Sequence, residues 1–473
     1  MARYFHFRTL QDVQQAALQL GAEVVVQEDL SPLWQPITVG PFRVGNRLCI
    51  QPMEGCDGTP EGAPGELTLR RYQRFGAGGA KLIWGEATAV LPEARANPRQ
   101  LCLTPQTAPA LAHLLETCRQ AHRQVWGSDS DLLVGLQLTH SGRYSHFRPL
   151  LVMHDPLLDP LTFDRSTGRY INSDYPLLSD DDLLRILDAF IAAARLAWQI
   201  GFQFVDIKQC HRYLLNELLA ARLRPGRFGG SLENRTQLVR LMIQRLRQEV
   251  PGLLIFTRLN VYDGVPYRAP PHAPQSPGEP WPFHTPVLTS WGTSTEDPLQ
   301  PDLTEPLRWI AEMRQLGVSA VNVSMGNPYA SPHLTRPFEY PPPDGYEPPE
   351  PPLLGVARHF RLTEMVQRTF PDLLVVGSGY SYLQEFAFHA AAANLAQGRV
   401  SVVGVGRAAL AQPDFVLQLR QHGRLERRRV CRTFSYCTAL MRSKHHPLGQ
   451  FPTGCPPFDK EVYGPIWQQA QSR

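Results

Sequence analysis

Eight short apolar runs recur along this chain of 473 residues, and helical patterns separate them. Runs of this kind predict buried strands, and their alternation with helices predicts a parallel sheet with crossover helices. Eight β/α units close into a (β/α)₈ TIM barrel, whereas an open doubly wound sheet usually has about five or six strands. We therefore predict an α/β barrel with the strands Leu48–Met53, Lys81–Glu86, Leu132–Leu138, Phe202–Lys208, Leu253–Leu259, Ala320–Ser324, Leu373–Val376 and Val400–Val405.

The clearest helical pattern begins at Ser179. Asp182 stands three residues later, which is the spacing of a capping box. One face of the predicted helix is apolar, and Gly201 is the predicted stop signal. The residues of that face are Leu183, Leu187, Phe190, Ala194 and Ala197.

The chain is longer than the roughly 250 residues that one barrel needs. We assign residues 31–420 to the barrel, 1–30 to an N-terminal extension and 421–473 to a C-terminal extension that contains cysteines.

Two proline-rich insertions, 263–303 and 337–352, follow the fifth and sixth predicted strands. Proline cannot pair within a central strand, so both segments are predicted to be long loops on the catalytic face of the barrel. Aromatic residues such as Trp281 and Trp291 are interleaved with the prolines, and disordered segments are usually poor in aromatics. A lid is therefore favoured over a disordered linker.

Composition and charge exclude several classes of protein. Hydrophobic residues make up 43% and charged residues 19%, which is typical of a soluble protein with a large core. The net charge of +4 is dispersed, and the one basic cluster, at 424–429, is interpreted as a solvated helix end, so no nucleic-acid partner is expected. No apolar run reaches the roughly 18–20 residues of a membrane span, and the N-terminus lacks the pattern of a signal peptide. Eight cysteines in so long a chain do not indicate a disulfide scaffold, so we expect a cytoplasmic enzyme that acts on a small molecule, and a homo-oligomer stays open.

The fourth predicted strand ends at Lys208, and two more polar side chains, His211 and Tyr213, follow it closely. Because chemistry in a barrel takes place where strands end, these side chains are predicted to face one cavity.

The segment from Val205 to Glu217 resembles the substrate-binding segment of the old yellow enzyme family, which has the pattern His-x-x-His/Asn-Gly-Tyr-Leu. Lys208 replaces the first His and Arg212 replaces the Gly. The block from Gly229 to Arg235, Gly-Gly-Ser-Leu-Glu-Asn-Arg, is that family's most specific signature, and the resemblance extends over about residues 31–420.

The resemblance implies a bound FMN and assigns roles to individual residues. Pro52 and Met53 would present backbone to the isoalloxazine ring, and Glu54 occupies the place of a Thr or Cys close to the flavin C4=O. A carboxylate disfavours the anionic reduced flavin there, so either the pKa of Glu54 is raised or its side chain turns away. Gln137 would meet the pyrimidine edge, and Arg258 would face N1 and C2=O. Their structural alternatives are a polar end of a core strand and an arginine paired with a carboxylate.

The FMN phosphate would lie after strands seven and eight. The expected residues are Gly377, Ser378, Gly379, Gly404, Gly406 and Arg407, since glycine-permitted backbone N–H groups bind phosphate in barrels and arginine adds a fork of donors. The run from Gly404 to Ala409 also resembles part of a dinucleotide fingerprint, but that motif alone is weak evidence.

The resemblance implies an FMN-dependent oxidoreductase of the ene-reductase type, with NAD(P)H as a transient electron donor. His211 would hold the carbonyl oxygen of an activated alkene, and Tyr213 would deliver a proton to its α-carbon. Lys208, a cation at the second oxygen-holding position, favours an acidic or quinone-like acceptor, and its alternative is an ion pair with Glu54 or Asp206. Two other functions stay open: a dehydrogenase that runs in the oxidative direction, and a flavin-binding protein with altered or lost activity.

The C-terminal extension resembles the iron–sulfur segment of the larger family members, in which four cysteines bind a [4Fe–4S] cluster. Cys431, Cys437 and Cys455 match that pattern, but Phe434 stands where the second ligand belongs. Four thiolates are the usual ligand set. We therefore predict no stable cluster and no other metal, with the extension packed against the barrel.

Overall fold

Eight parallel strands close into a barrel in the computed structural model, which describes residues 5–273 and 276–472. Residues 1–4, 274–275 and 473, which belong to the predicted N-terminal extension, first insertion and C-terminal extension, lie outside the described residues. The barrel strands are β1 (Leu48–Ile50), β2 (Leu82–Ala89), β3 (Leu133–Thr139), β4 (Phe204–Ile207), β5 (Leu254–Tyr262), β6 (Val318–Met325), β7 (Leu374–Gly377) and β8 (Val402–Val405). Each strand pairs with its neighbours in the chain, and β8 pairs with β1, so the predicted TIM barrel is confirmed.

The strand ends differ from the predicted ones by up to three residues. The first strand ends at Ile50 and not at Met53, although Gln51 N still donates to Val405 O at 2.9 Å. The second strand continues to Ala89 and not only to Glu86, because its pairing with the third strand extends to Ala89 opposite Thr139. The apolar pattern therefore locates each strand, while hydrogen bonds with neighbouring segments set its ends.

A crossover helix follows every strand. The helices are α1 (Glu66–Gly78), α2 (Ala108–Trp126), α3 (Asp180–Gln199), α4 (Leu232–Glu249), α5 (Thr304–Gln315), α6 (Pro352–Thr369), α7 (Ala387–Ala396) and α8 (Phe415–His422). The predicted capping box begins α3: Ser179 Oγ accepts from Asp182 N at 3.1 Å, and the Asp182 carboxylate accepts from Ser179 N at 2.8 Å. The helix ends two residues before Gly201, whose φ of +100° suits glycine.

Apolar side chains fill the N-terminal end of the barrel. Phe204 and Phe256 stack with 4.2 Å between their ring centroids, and Trp84 meets Phe204 edge-on at 5.2 Å. A hairpin of Ile37–Val39 and Phe42–Val44 packs against this cluster and covers it. The N-terminal end is thus closed, and a cavity can form only toward the carboxyl ends of the strands.

The two insertions meet each other above the carboxyl ends of β5 and β6. Tyr267–Arg268 pairs with Glu279–Pro280 in an antiparallel ribbon, and Pro277 forms a bridge to Glu347 of the second insertion. Gly278 N donates to Glu347 O at 2.8 Å.

The C-terminal extension packs on the barrel at α1. Its helices are Tyr436–Arg442 and Lys460–Gln471, and Arg70 of α1 forms an ion pair of 2.7 Å with Asp459. Thr453 N donates to Gly55 O at 2.7 Å, just beyond β1. At the other end of the chain, Leu10–Gln19 is helical. Across the helices that the structure describes, none combines the length and apolarity needed to cross a membrane.

Candidate active site

A cavity of about 420 Å³, called the inner cavity below, lies at the carboxyl ends of the strands. Thirteen of the fourteen residues predicted to bind cofactor or substrate line it. They are Pro52, Met53, Glu54, Gln137, Lys208, His211, Tyr213, Arg258, Ser378, Gly379, Gly404, Gly406 and Arg407. Gly377 is the exception, because its α-carbon faces Thr363 and Val400 in the outer layer of the barrel. The role of Gly377 in cofactor binding stays a prediction.

Lys208 lies buried at the end of β4. Its ammonium is 3.7 Å from the centroid of the Tyr213 ring, a cation–π contact. Burial lowers the pKa of Lys208, while the nearby acidic groups Cys210 and Glu54 raise it. Within the described part of the chain Lys208 forms no ion pair, so its charge is available to a ligand.

A left-handed turn at His211 and Arg212 directs the side chains of His211 and Tyr213 into the inner cavity. The φ angles are +66° and +61°, which explains why the family pattern has glycine at the second position. Arg212 tolerates this conformation because its buried guanidinium is tied to Asp263 at 3.0 Å and to Asp155 at 2.5 Å. His211 Nε2 lies 2.9 Å from Ser324 Oγ, and burial holds the pKa of His211 well below its usual range, so the imidazole is neutral.

Tyr213 belongs to a cluster of three tyrosines. Its hydroxyl lies 3.0 Å from the hydroxyl of Tyr329, and the Tyr144 ring stacks on the Tyr329 ring at 4.4 Å. Burial raises the pKa of Tyr213 well above its usual value, so the phenol keeps its proton. The sequence reading missed both partners, although Tyr144 directly follows the motif residue Arg143 and Tyr329 stands three residues after Gly326.

Glu54 faces the inner cavity with a raised pKa. Burial raises the pKa of its carboxyl to about 7, and the Lys208 charge opposes that rise. Asn97 Nδ2 donates to Glu54 Oε1. Near neutral pH this carboxyl group is therefore close to half protonated and can donate or accept a proton.

A carboxylate inside the barrel positions the residues predicted to contact the flavin pyrimidine. Asp206 Oδ2 accepts from Gln137 Nε2 at 2.6 Å, and Asp206 Oδ1 accepts from Arg258 N at 2.7 Å. Burial raises the pKa of Asp206 to about 6. Gln137 keeps its carbonyl oxygen and one amide hydrogen for a ligand.

Two arginines present unused donors to the cavity, which is a test of whether FMN fits. Arg258 Nε is buried without a hydrogen-bond partner, and Arg407 Nη1 is likewise unpaired, while Arg407 Nη2 donates to Pro337 O at 2.6 Å. A Cβ at Gly404 would lie 2.0 Å from Gln51 Nε2, and one at Gly406 would lie 2.7 Å from Met53 Sδ. Glycine at these two positions thus leaves space in the cavity that a side chain would fill. The unpaired guanidinium donors beside that space can bind a phosphate and the oxygens of a flavin ring, so the cavity fits a flavin with one phosphate.

The arginines of two sequence motifs form ion pairs that hold the loops and helices around the inner cavity. Arg143, which ends the Gln137–Arg143 motif, forms buried ion pairs with Glu217 at 2.5 Å and Asp159 at 2.6 Å. Arg235, the last residue of the Glu-Asn-Arg block, pairs with Glu305 of α5 at 2.5 Å. Both arginines hold loops and helices in place and are not free for a ligand.

The C-terminal extension supplies one wall of the cavity through Cys437, Arg442 and Lys444. The other two cysteines of the predicted degenerate motif, Cys431 and Cys455, are half-buried behind that wall. No three His, Cys, Asp or Glu side chains in the described residues are arranged to hold a metal ion.

Comparison with known proteins gives relatives whose sequences match slightly less than half of the chain. An NADPH dehydrogenase of Clostridium acetobutylicum is 27% identical over 224 residues, which cover 46% of this chain and 60% of the relative. An NADPH dehydrogenase of Halalkalibacterium halodurans is 28% identical over 220 residues, covering 46% of this chain and 59% of the relative. The chain thus matches about 60% of the length of these relatives.

Solved structures of similar fold cover more of the chain. A 2-naphthoyl-CoA reductase in complex with 2-naphthoyl-CoA superposes with a TM-score of 0.65 at 17% identity, covering 93% of this chain and 58% of that one. Morphinone reductase in complex with tetrahydroNAD gives a TM-score of 0.59 at 19% identity, covering 84% and 92%. At these identities the likeness shows the fold.

The model of one protein family, described as NADH:flavin oxidoreductase / NADH oxidase, matches residues 32–268. These 237 of 473 residues include the first five strands and the segment with Lys208, His211 and Tyr213. The match confirms the resemblance found in the sequence: the chain belongs to the NADH:flavin oxidoreductase / NADH oxidase family.

Proposed function

We propose that the protein is an FMN-dependent oxidoreductase that takes electrons from NAD(P)H and reduces an activated alkene or a related acceptor. Family membership supports the flavin chemistry, and the NADPH dehydrogenases among the relatives support the donor. The observation that carries the proposal is one inner cavity lined by thirteen of the fourteen residues predicted for cofactor and substrate.

When bound, FMN supplies hydride chemistry, accepting a hydride from the donor and giving one to the acceptor. The chain would hold its phosphate with Arg407 and the glycine-bordered floor, and its pyrimidine edge with Gln137. Arg258 brings a permanent positive charge to the edge at which reduction places negative charge. Its unpaired, buried Nε supports that role.

The acceptor would be oriented by the side chains that follow β4. His211 is neutral and Lys208 forms no ion pair with any carboxylate that the structure describes, so together they can hold an oxygen on which negative charge develops. Because Lys208 replaces a neutral histidine of the family pattern, an acceptor with an acidic or quinone-like oxygen is favoured.

Tyr213 would donate the proton that completes reduction of the acceptor. Its raised pKa keeps it protonated, and its hydroxyl lies 3.0 Å from that of Tyr329. Tyr329 keeps 37% of its surface exposed, so it connects the buried Tyr213 to solvent and offers a route for its reprotonation.

Anaerobic reduction tests the proposal. We expect FMN to co-purify at about one per chain and its visible band to bleach rapidly with NADH or NADPH. A candidate acceptor should then restore the band. Bleaching by a saturated substrate in place of the nicotinamide donor would instead support the oxidative direction, and no bleaching by either would contradict an active oxidoreductase.

The Tyr213→Phe variant tests the role of the proton donor. Bleaching by NAD(P)H should remain near normal, while the half-reaction with the alkene slows by about 10²–10⁴, the usual effect of a general acid. Tyr170→Phe is a matched control because the side chain of Tyr170 is 63% exposed and does not line the inner cavity. Equal slowing of both half-reactions would show that Tyr213 positions ligands and does not donate the proton.

A further inference from the structure

A second cavity of about 330 Å³, called the outer compartment below, adjoins the inner cavity. Tyr144, Tyr329 and Arg442 line both, so the two spaces meet at these residues. The proline-rich insertions supply much of the remaining wall, whereas no residue of the first insertion that the structure describes lines the inner cavity. A ligand longer than the inner cavity can therefore extend past Tyr329 into the outer compartment.

Aromatic rings held in fixed positions line the outer compartment. Tyr346 is held through its hydroxyl, 2.6 Å from His333 Nδ1, and the Tyr267 ring meets the His333 ring edge-on at 4.5 Å. The Trp281 ring carries the Arg268 guanidinium 4.8 Å from its centroid. Aromatic faces beside guanidinium groups are the usual platform for a heteroaromatic base.

Positive charge is concentrated where the two cavities meet. Arg442 pairs with Asp344 and donates to Pro328 O at 2.7 Å, while Lys444 and Arg165 form no ion pair within the described ranges. Burial lowers the pKa of Lys444, as do the charges of Arg165 and Arg442, while Asp344 opposes them, so these cations repel each other in part. A bound anion would relieve that repulsion.

We propose that the outer compartment binds the adenosine diphosphate part of the NAD(P)H donor, with its adenine among Tyr267, Trp281 and Tyr346. The diphosphate would lie at the junction, beside Lys444, Arg165 and Arg442, and the nicotinamide would enter the inner cavity. This inference rests on the proposed function, in which NAD(P)H is the electron donor.

The arrangement gives the outer compartment a role that the inner cavity lacks. Donor and acceptor must occupy the same inner cavity in turn, because both react there. A small acceptor fills only that space, so the outer compartment raises affinity for the donor alone. Binding of the adenosine diphosphate part, which does not react, therefore makes the protein specific for this donor over other reduced compounds.

Truncated donors test the assignment. The dissociation constants of NADH, NADPH and reduced nicotinamide mononucleotide are measured by stopped-flow bleaching of the holoenzyme. Trp281→Ala should raise the dissociation constant of the preferred dinucleotide about tenfold, on the scale of one stacked base. The constant for reduced nicotinamide mononucleotide should change less than twofold, since it lacks adenosine. His284→Ala in the same insertion and Lys460→Ala in the extension are exposed controls.

Binding of ADP, measured by equilibrium dialysis, separates this inference from the proposed function. Wild-type protein should bind ADP, and Trp281→Ala should weaken that binding even if neither dinucleotide bleaches the flavin. Equal losses for the dinucleotide and the mononucleotide would overturn the assignment, and so would no loss for either. Weakened binding only of an acceptor that carries adenosine diphosphate, such as a coenzyme A thioester, would also overturn it in favour of the acceptor.

Discussion

A buried lysine and a carboxyl group with a raised pKa share the inner cavity, and their charges determine which ligands bind there. Lys208 stands where the family pattern has histidine, and Glu54 stands where relatives carry Thr or Cys. Neither is neutralised by a full ion pair with the other, since Glu54 instead accepts from Asn97 and Lys208 lies over the Tyr213 ring. The cavity is therefore suited to an anion and sensitive to pH near neutrality.

Removing the charge of Lys208 should weaken the binding of anionic ligands. Lys208→Ala is expected to lower the binding free energy of a phenolate by about 1.5–3 kcal/mol, the usual scale for a hydrogen bond to a charged group. Titration of the holoenzyme, followed through the flavin spectrum, measures the change. Lys460→Ala is the matched surface control, and Lys208→Gln preserves length if the alanine variant is unstable. Unchanged phenolate affinity with a lowered melting temperature would show that Lys208 is structural.

Glu54 should make anion binding depend on pH. Its raised pKa means that it is neutral below about pH 7 and negative above it. Affinity for a ligand that is ionised throughout should therefore fall as pH rises, by at most about tenfold per pH unit for one linked proton. Glu86 and Asp57 add negative charge near Glu54. The pKa of Lys208 is lowered, so loss of its positive charge as pH rises also weakens anion binding. Glu54→Gln separates these effects: the profile should flatten around pH 7, and an unchanged profile would assign the dependence to Lys208.

Residues that directly follow a strand could be predicted from the sequence, while residues brought in by loops could not. Lys208 was predicted because a barrel places all its strand ends at one face, whereas Arg258, which lies within β5, was predicted from the resemblance to the family. Gly377 does not line the inner cavity, because successive strand residues face opposite sides and one residue of offset turns it outward. Asn97, Tyr329 and Arg442 reach the cavity from loops and from the extension, and no periodicity in the sequence marks them.

At the level of elements, a local signal was enough to predict α3, whereas the insertions required tertiary contacts. Ser179 and Asp182 cap each other through bonds that depend only on sequence spacing. The short ribbon at Tyr267–Arg268 and the bridge between Pro277 and Glu347 join segments that are distant in sequence. Proline content indicated loops but could not indicate which loops meet.

The capping box of α3 should contribute measurably to stability. Ser179→Ala removes the acceptor for Asp182 N and is expected to lower the free energy of unfolding by about 1 kcal/mol. Ser179→Thr retains a hydroxyl and should restore most of that loss. Urea unfolding of the two variants beside wild type measures both values. Equal stability of all three proteins would mean that Asp180 and the neighbouring acidic residues already satisfy the helix N-terminus.

For the whole molecule, the number of strands was sufficient to predict the barrel, but not what covers it. Closure follows from eight parallel units, which bury every sheet edge. The C-terminal extension reaches the cavity because Asp459 pairs with Arg70 and Thr453 bonds to Gly55, contacts that span nearly the whole sequence. The extension is therefore part of the candidate site, although its cysteine motif is degenerate.

The cysteines of this extension lead to a prediction for the whole protein. Cys431, Cys437 and Cys455 match three of four ligand positions, and a four-iron cluster uses four thiolates. We expect anaerobically purified protein to contain FMN and close to no iron or sulfide. About four of each per chain would contradict this prediction, and about three of each would show that the three cysteines hold a cluster with a reduced ligand set.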